Sequence, residues 1–145
     1  MTKKNIKTTT AALIAFLSLF FGAKYFKPNQ ASTQNSSFNS VEDLYENRIS
    51  GVMVQFNGEV VKILSDDNEG SRHQRFIVKV NRHHTVLIAH NIDLAPRVPI
   101  DQNKMVSVYG QYEWNDKGGV VHWTHKDPNG THEEGWIKYQ GNIYH

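Results

Sequence analysis

A chain of 145 residues has room for one domain of ordinary size, and 39% hydrophobic with 21% charged residues is the composition of a folded protein. The absence of cysteine excludes disulfide partners, thiolate metal sites and cysteine nucleophiles. The net charge of +2 is unevenly placed: the five lysines before Pro28 leave 11 basic residues against 14 acidic ones, a formal −3, so the rest of the chain is not suited to binding nucleic acid by neutralising phosphates.

Lys3, Lys4 and Lys7 precede Thr8-Thr9-Thr10 and the apolar run Ala11 to Ala23, a basic segment followed by a hydrophobic one as in an export signal. Counted from Thr8 to Phe26, with Lys24 able to snorkel, the stretch approaches the ~20 residues that a membrane span needs. Ala23 suits a signal-cleavage site, but Phe21 occupies the second position that should be small. An uncleaved signal anchor over residues 1–27 is therefore expected, with a cleaved signal peptide and secretion as the alternative. The leading lysines favour an inside start, which puts the remainder outside the inner membrane, in the periplasm or beyond the cell. Residues 28–39, rich in Ser, Asn and Gln, read as a flexible tether.

The folded domain is expected over residues 40–145. Ser40 is placed to cap a short helix running to about Arg48, with Asp43 three residues on and Val41, Leu44 and Tyr45 on one face. From Gly51 the apolar period becomes two: Val52, Val54, Phe56 and Val60 alternate with polar residues, then Val61 and Ile63 take over the apolar parity after Gly58. Asp66 to Gly70 is a turn. Phe76, Val78 and Val80 mark a second strand, Thr85 to Ala89 a third, Met105 to Trp114 a fourth and Val120 to Thr124 a fifth. Pro96 and Pro99 forbid a long helix between the third and fourth. Five strands, two of them long with internal glycines, predict a mainly β fold: a small five-stranded OB-like barrel with a short N-terminal helix, its third and fourth strands joined by a plug. A β-sandwich usually needs about seven strands. Gly135 to His145 allows a hairpin about Gln140-Gly141-Asn142.

The eight histidines all follow residue 72, and His122, His125 and His132 lie close together. Imidazole is both a metal ligand and an acid/base near neutral pH. On a regular strand residues three apart face opposite sides, so a shared metal requires a bend, which the Asp127-Pro128-Asn129-Gly130 turn is placed to supply. With Asp127, these histidines form a candidate site for a divalent transition metal such as zinc; hydrogen bonding to turns is the alternative use of such residues. His73, Arg75, His90 and Asn91 lie at strand ends where OB-like barrels bind ligands, and Trp123 is a ring able to stack on one. His83-His84 falls in a turn and is expected to be solvated.

His73-Gln74-Arg75-Phe76, the run Leu87 to Arg97, Gly110 to Asn115, Gly118 to Pro128 and Gly135-Trp136-Ile137 resemble a bacterial family known as domain of unknown function 3465, over about Gly51 to Tyr144. The resemblance implies a small exported or membrane-anchored β domain and no particular activity. The arrangement of strands is also similar to the thermonuclease-type barrel, whose arginine pair and acidic calcium ligands have no counterpart that can be placed here. Three functions follow as expectations. The first is a membrane-tethered extracytoplasmic binding module for a small or polymeric ligand. The second is a metal-dependent hydrolase, a nuclease or phosphodiesterase, using His122, His125 and His132 with Asp127 or Glu133 as base. The third is a structural or accessory envelope protein.

Overall fold

A computed structural model of the chain describes residues 40–145. The expected leader (1–27) and tether (28–39) lie outside the described residues. Ser40 is extended and its hydroxyl accepts from the Asp43 N–H at 3.1 Å, which caps α1, Val41–Glu46. Six residues are too few for a helix to persist alone, so α1 depends on burying Val41 and Leu44. It is shorter than the sequence suggests because the chain turns at Arg48, which takes a left-handed φ of 55°.

β1, Val52–Ile63, serves two neighbours. Val52 to Glu59 pair antiparallel with β4, Met105–Glu113, and Glu59 to Ile63 pair antiparallel with β2, His73–Lys79. A strand that passes from one partner to another along its length lets a sheet curl closed. The change of parity read from the sequence does occur, but it lies at a bulge between Val60 and Lys62 rather than at Gly58. Gly58 keeps the inward parity, where a Cβ would fall on the side chain of Val78 and the carbonyl of Lys79. Its role is close approach.

β2 pairs antiparallel with β3, Thr85–Asn91, and β3 runs parallel to β5, Val120–His122. β5 pairs antiparallel with β4, and the β1–β4 pairing closes the ring. The order β1-β2-β3-β5-β4 and back to β1 is the closed five-stranded OB-like barrel. Its interior is formed by inward residues such as Val60, Phe76, Val78, Ile88, Val108 and Tyr112, all fully buried. Each such side chain contributes roughly 1.5–3 kcal/mol on burial. Beyond the ring, β6, Trp136–Tyr139, pairs with β4 over Ser107 to Tyr109, and β7, Asn142–Tyr144, folds back on β6. The two-residue turn between them has both φ values positive, 48° at Gln140 and 83° at Gly141, as the twist of a tight hairpin requires.

The barrel ends are closed differently. At one, α1 sets Tyr45 against His84, ring centroids 4.8 Å apart. His84 is not solvated as expected: it is 7% exposed, and its Nε2 donates to the Gly118 carbonyl at 2.7 Å, because the loop before β5 folds over it. At the other end, the irregular segment 92–104 plugs the opening with Val98 and Ile100. The buried Gln74 side chain holds that plug, donating to the Val98 carbonyl at 2.7 Å and accepting from the Val98 N–H at 3.0 Å. No helix among the described residues is long and apolar enough to cross a membrane.

Candidate functional site

β5 stops at His122 because Trp123 takes a left-handed φ of 53°. For a residue with a side chain this conformation costs roughly 1–2 kcal/mol, so its surroundings must hold it. They do: the Gly135 N–H donates to the His125 carbonyl at 3.0 Å, fastening the segment after β5 near the start of β6. Gly135 packs so tightly that a Cβ there would fall on the carbonyl oxygens of Trp123 and Tyr109. The bend at Trp123 therefore lies between His122 and His125, earlier than the turn expected to provide it, and both side chains border one cleft.

The Asp127-Pro128-Asn129-Gly130 turn has another task. Oδ1 of Asp127 accepts from the Asn129 N–H at 2.9 Å, and Oδ2 accepts from the His132 N–H at 2.8 Å and the Thr131 hydroxyl at 2.9 Å, as well as from the Thr131 N–H. Desolvation acts to raise the Asp127 carboxyl, but the donations from Asn129, His132 and Thr131 outweigh it and hold the group well below the usual carboxylate range. Both oxygens are thus engaged by the loop itself, and the consequence is a fixed backbone at His132.

The cleft measures about 230 Å³. One wall is His73, at the start of β2, and Asn91, at the end of β3, which face each other in the β2–β3 register. The other wall is His122, Trp123, His125 and His132. The Trp123 and His132 rings stack with centroids 4.1 Å apart and planes 8° from parallel. The His125 and His132 rings lie 5.3 Å apart at 85°, and His122 lies 5.0 Å from Trp123. Four imidazoles from distant parts of the chain thus meet around one opening.

Their hydrogen bonds assign the tautomers. Nδ1 of His125 is 2.6 Å from the Lys126 carbonyl, and Nδ1 of His132 is 2.8 Å from the Glu133 carbonyl. A carbonyl only accepts, so each Nδ1 carries the hydrogen, and in the neutral ring Nε2 presents a lone pair. Nε2 of His122 is buried without a hydrogen-bond partner; Oε1 of Glu113 is 3.7 Å away, beyond bonding distance. Burial lowers the His122 pKa, the Glu113 charge opposes this, and His132 and His73 add to the fall.

Other residues expected at the site lie apart from it. Arg75 points elsewhere from β2, its Nε donating to the Ser65 carbonyl at 3.0 Å. His90 is wholly buried below the cleft, with Nδ1 2.8 Å from the Thr124 hydroxyl and Nε2 3.0 Å from the Pro96 carbonyl. Glu133, suggested as a base, accepts from the Tyr109 hydroxyl. Among the described residues, no three His, Asp or Glu side chains stand close enough as they lie to enclose a metal ion. Glu113 was not singled out in the sequence, although it shares the outer parity of β4 with Gln111, the partner of His122 in the register.

A larger cavity of about 510 Å³ lies at the opposite end, between α1 and the β2–β3 turn. Asn81 in its lining donates to Glu42 at 2.7 Å and accepts from the His83 and His84 N–H groups. The smaller histidine cleft is chemically the richer site.

No curated protein and no solved structure matches the chain. A family model described as Protein of unknown function (DUF3465) matches residues 26–145, so it takes in the whole barrel and every residue of the cleft, and the chain belongs to that family.

Proposed function

We propose that the barrel is a binding module, tethered outside the cytoplasm through residues 8–26, that takes a small or polymer-borne polar ligand into the cleft between His73–Asn91 and His122–His132. The observation that carries this reading is convergence: segments 71–73, 91–94 and 122–132 supply polar side chains to one opening, and the largest group among them is imidazole. A concave site with a few convergent polar groups and an aromatic wall is the usual form of a ligand pocket. His73, Asn91 and Trp123 are the proposed ligand contacts beside the three later histidines. A hydrolase on the same histidines needs a free base lining the cleft as well; Asp127 is engaged by its turn, Glu133 accepts from Tyr109, and Glu113, 3.7 Å from His122 Nε2, stands outside the cleft lining, which favours binding over catalysis.

Imidazole 1H–15N spectra of the full chain, recorded against a panel of saccharides, nucleotides and amino acids, test the proposal. At least one compound class is expected to move the resonances of His122, His125 and His132 together, leaving exposed His83 unchanged. A panel that leaves all the cleft imidazoles unmoved, or moves His83 equally, overturns it.

A further inference from the structure

The cleft histidines also carry information about the chemistry of what they hold. We propose that His125 and His132 form a two-imidazole seat for a divalent transition metal, an assignment that rests on the reading of this cleft as a ligand site. Both rings already have the arrangement that protein metal ligands adopt: Nδ1–H fastened to a backbone carbonyl, at 2.6 Å for His125 and 2.8 Å for His132, with Nε2 left without a partner among the described residues. Two imidazoles on one tetrahedral ion, with metal–nitrogen bonds of about 2.0–2.1 Å, hold their ring centres roughly 5 Å apart. The rings of His125 and His132 stand 5.3 Å apart.

Both rings are also held in place. His125 is 3% exposed, and its carbonyl is fastened by Gly135. His132 is stacked on Trp123, and its backbone N–H is bound by Asp127. Little conformational freedom is left to lose on binding an ion. His122 lies on the same cleft with an unpartnered Nε2, a buried polar atom of the kind a ligand satisfies.

The donor set selects the ion. Asp127 is engaged by its turn and Glu133 by Tyr109, Glu113 stands 3.7 Å from His122 outside the cleft lining, and the chain has no thiolate, so the donors the cleft itself presents are imidazole nitrogens. Calcium and magnesium require oxygen ligands, whereas imidazole suits zinc, nickel and copper. At fixed geometry copper(II) binds such a site more tightly than zinc. A seat of two imidazoles leaves coordination positions for water or for a donor atom of an organic ligand.

Calorimetric titration of the full chain, purified without a histidine tag, against zinc and copper(II) chloride tests the assignment. One equivalent of either metal is expected to bind, copper more tightly, with His125→Gln and His132→Gln each weakening affinity by about tenfold or more. Copper should also quench the fluorescence of Trp123, whose ring is stacked on His132, and His132→Gln should weaken that quenching in step with the affinity. The double variant His83→Gln/His145→Gln, at residues that do not line the cleft, should bind normally. Circular dichroism identifies variants that fail to fold; His132→Gln, the more exposed of the two positions, keeps the test valid if His125→Gln does not fold. Absence of heat and quenching up to about 1 mM metal, or full affinity in folded His132→Gln, overturns the proposal. Silence toward metals with a cleft response to the organic panel removes the metal assignment alone, and silence toward both removes the cleft as a ligand site.

Discussion

His90 is the residue on which the acid stability of the barrel turns. The Pro96 carbonyl fixes the hydrogen on Nε2, so the Thr124 hydroxyl must donate to Nδ1. A second proton would displace that hydrogen bond and place a charge in the interior. Burial is the main reason that its pKa falls from 6.5 to about 4; donation to Pro96 offsets this in part, and His125 and His73 add to the fall. Between those two values the unfolded chain takes up a proton that the folded chain refuses. The contribution is complete above pH 6.5 and is lost as pH falls toward 4, roughly 3 kcal/mol in all. Burial of His122 acts in the same direction. Urea unfolding between pH 7.5 and 4.5 should show this decline, and His90→Gln should remove most of the slope. A decline of equal steepness in the variant would show that His90 is not its source.

At the scale of elements, two contacts join the plug and the cleft loop to the barrel, and neither involves an apolar side chain. Gln74 holds the backbone of Val98 from the inward parity of β2. Gln74→Leu would leave the Val98 N–H unpaired in the interior, while the Val98 carbonyl keeps its hydrogen bond from the Ile100 N–H, a cost of roughly 1–3 kcal/mol. Gly135→Ala would force the segment after β5 away from β4, with a cost of about 1–3 kcal/mol from overpacking. The two substitutions separate by readout. Gln74→Leu should lower the unfolding midpoint with little effect on Trp123 fluorescence, whereas Gly135→Ala should change that fluorescence in the native baseline. Equal native baselines would mean that Gly135 does not position the loop. The strands were legible in the sequence because alternation such as Phe76, Val78 and Val86, Ile88 is a local signal. The β6–β7 hairpin was legible for a similar reason, since Gln140-Gly141 carries its own turn chemistry. The left-handed Trp123 was not, because nothing in an isolated tryptophan calls for that φ and only the packing of Gly135 imposes it. The meeting of His73 with His132 follows from the expected closure of the barrel, but its detail depends on strand register and loop course across about 59 residues rather than on spacing. Gln74, read locally, is an ordinary polar residue in a strand; its partner is supplied by the plug.

For the molecule as a whole, the division of charge bears on the proposed placement of the barrel outside the cytoplasm. Every basic residue before Pro28 is a lysine, no acidic residue precedes Glu42, and the remainder carries a formal −3. A basic start followed by an apolar run is retained on the inner side while the following chain crosses, and Lys3, Lys4, Lys7 and the amino terminus outnumber Lys24 and Lys27 at the far end of the run. Alkaline phosphatase joined after His145 should therefore be active in cells carrying the intact chain and inactive when residues 1–27 are deleted. Sequencing the amino terminus of the membrane-bound protein separates the two fates of the leader. An anchor leaves Lys3 and Lys4 on the mature chain; cleavage after Ala23 releases the barrel from the membrane with Lys24 at its start. Phosphatase activity that survives deletion of the leader, or a fusion inactive with the leader present, would remove the extracytoplasmic assignment and leave the cleft to find its ligand inside the cell.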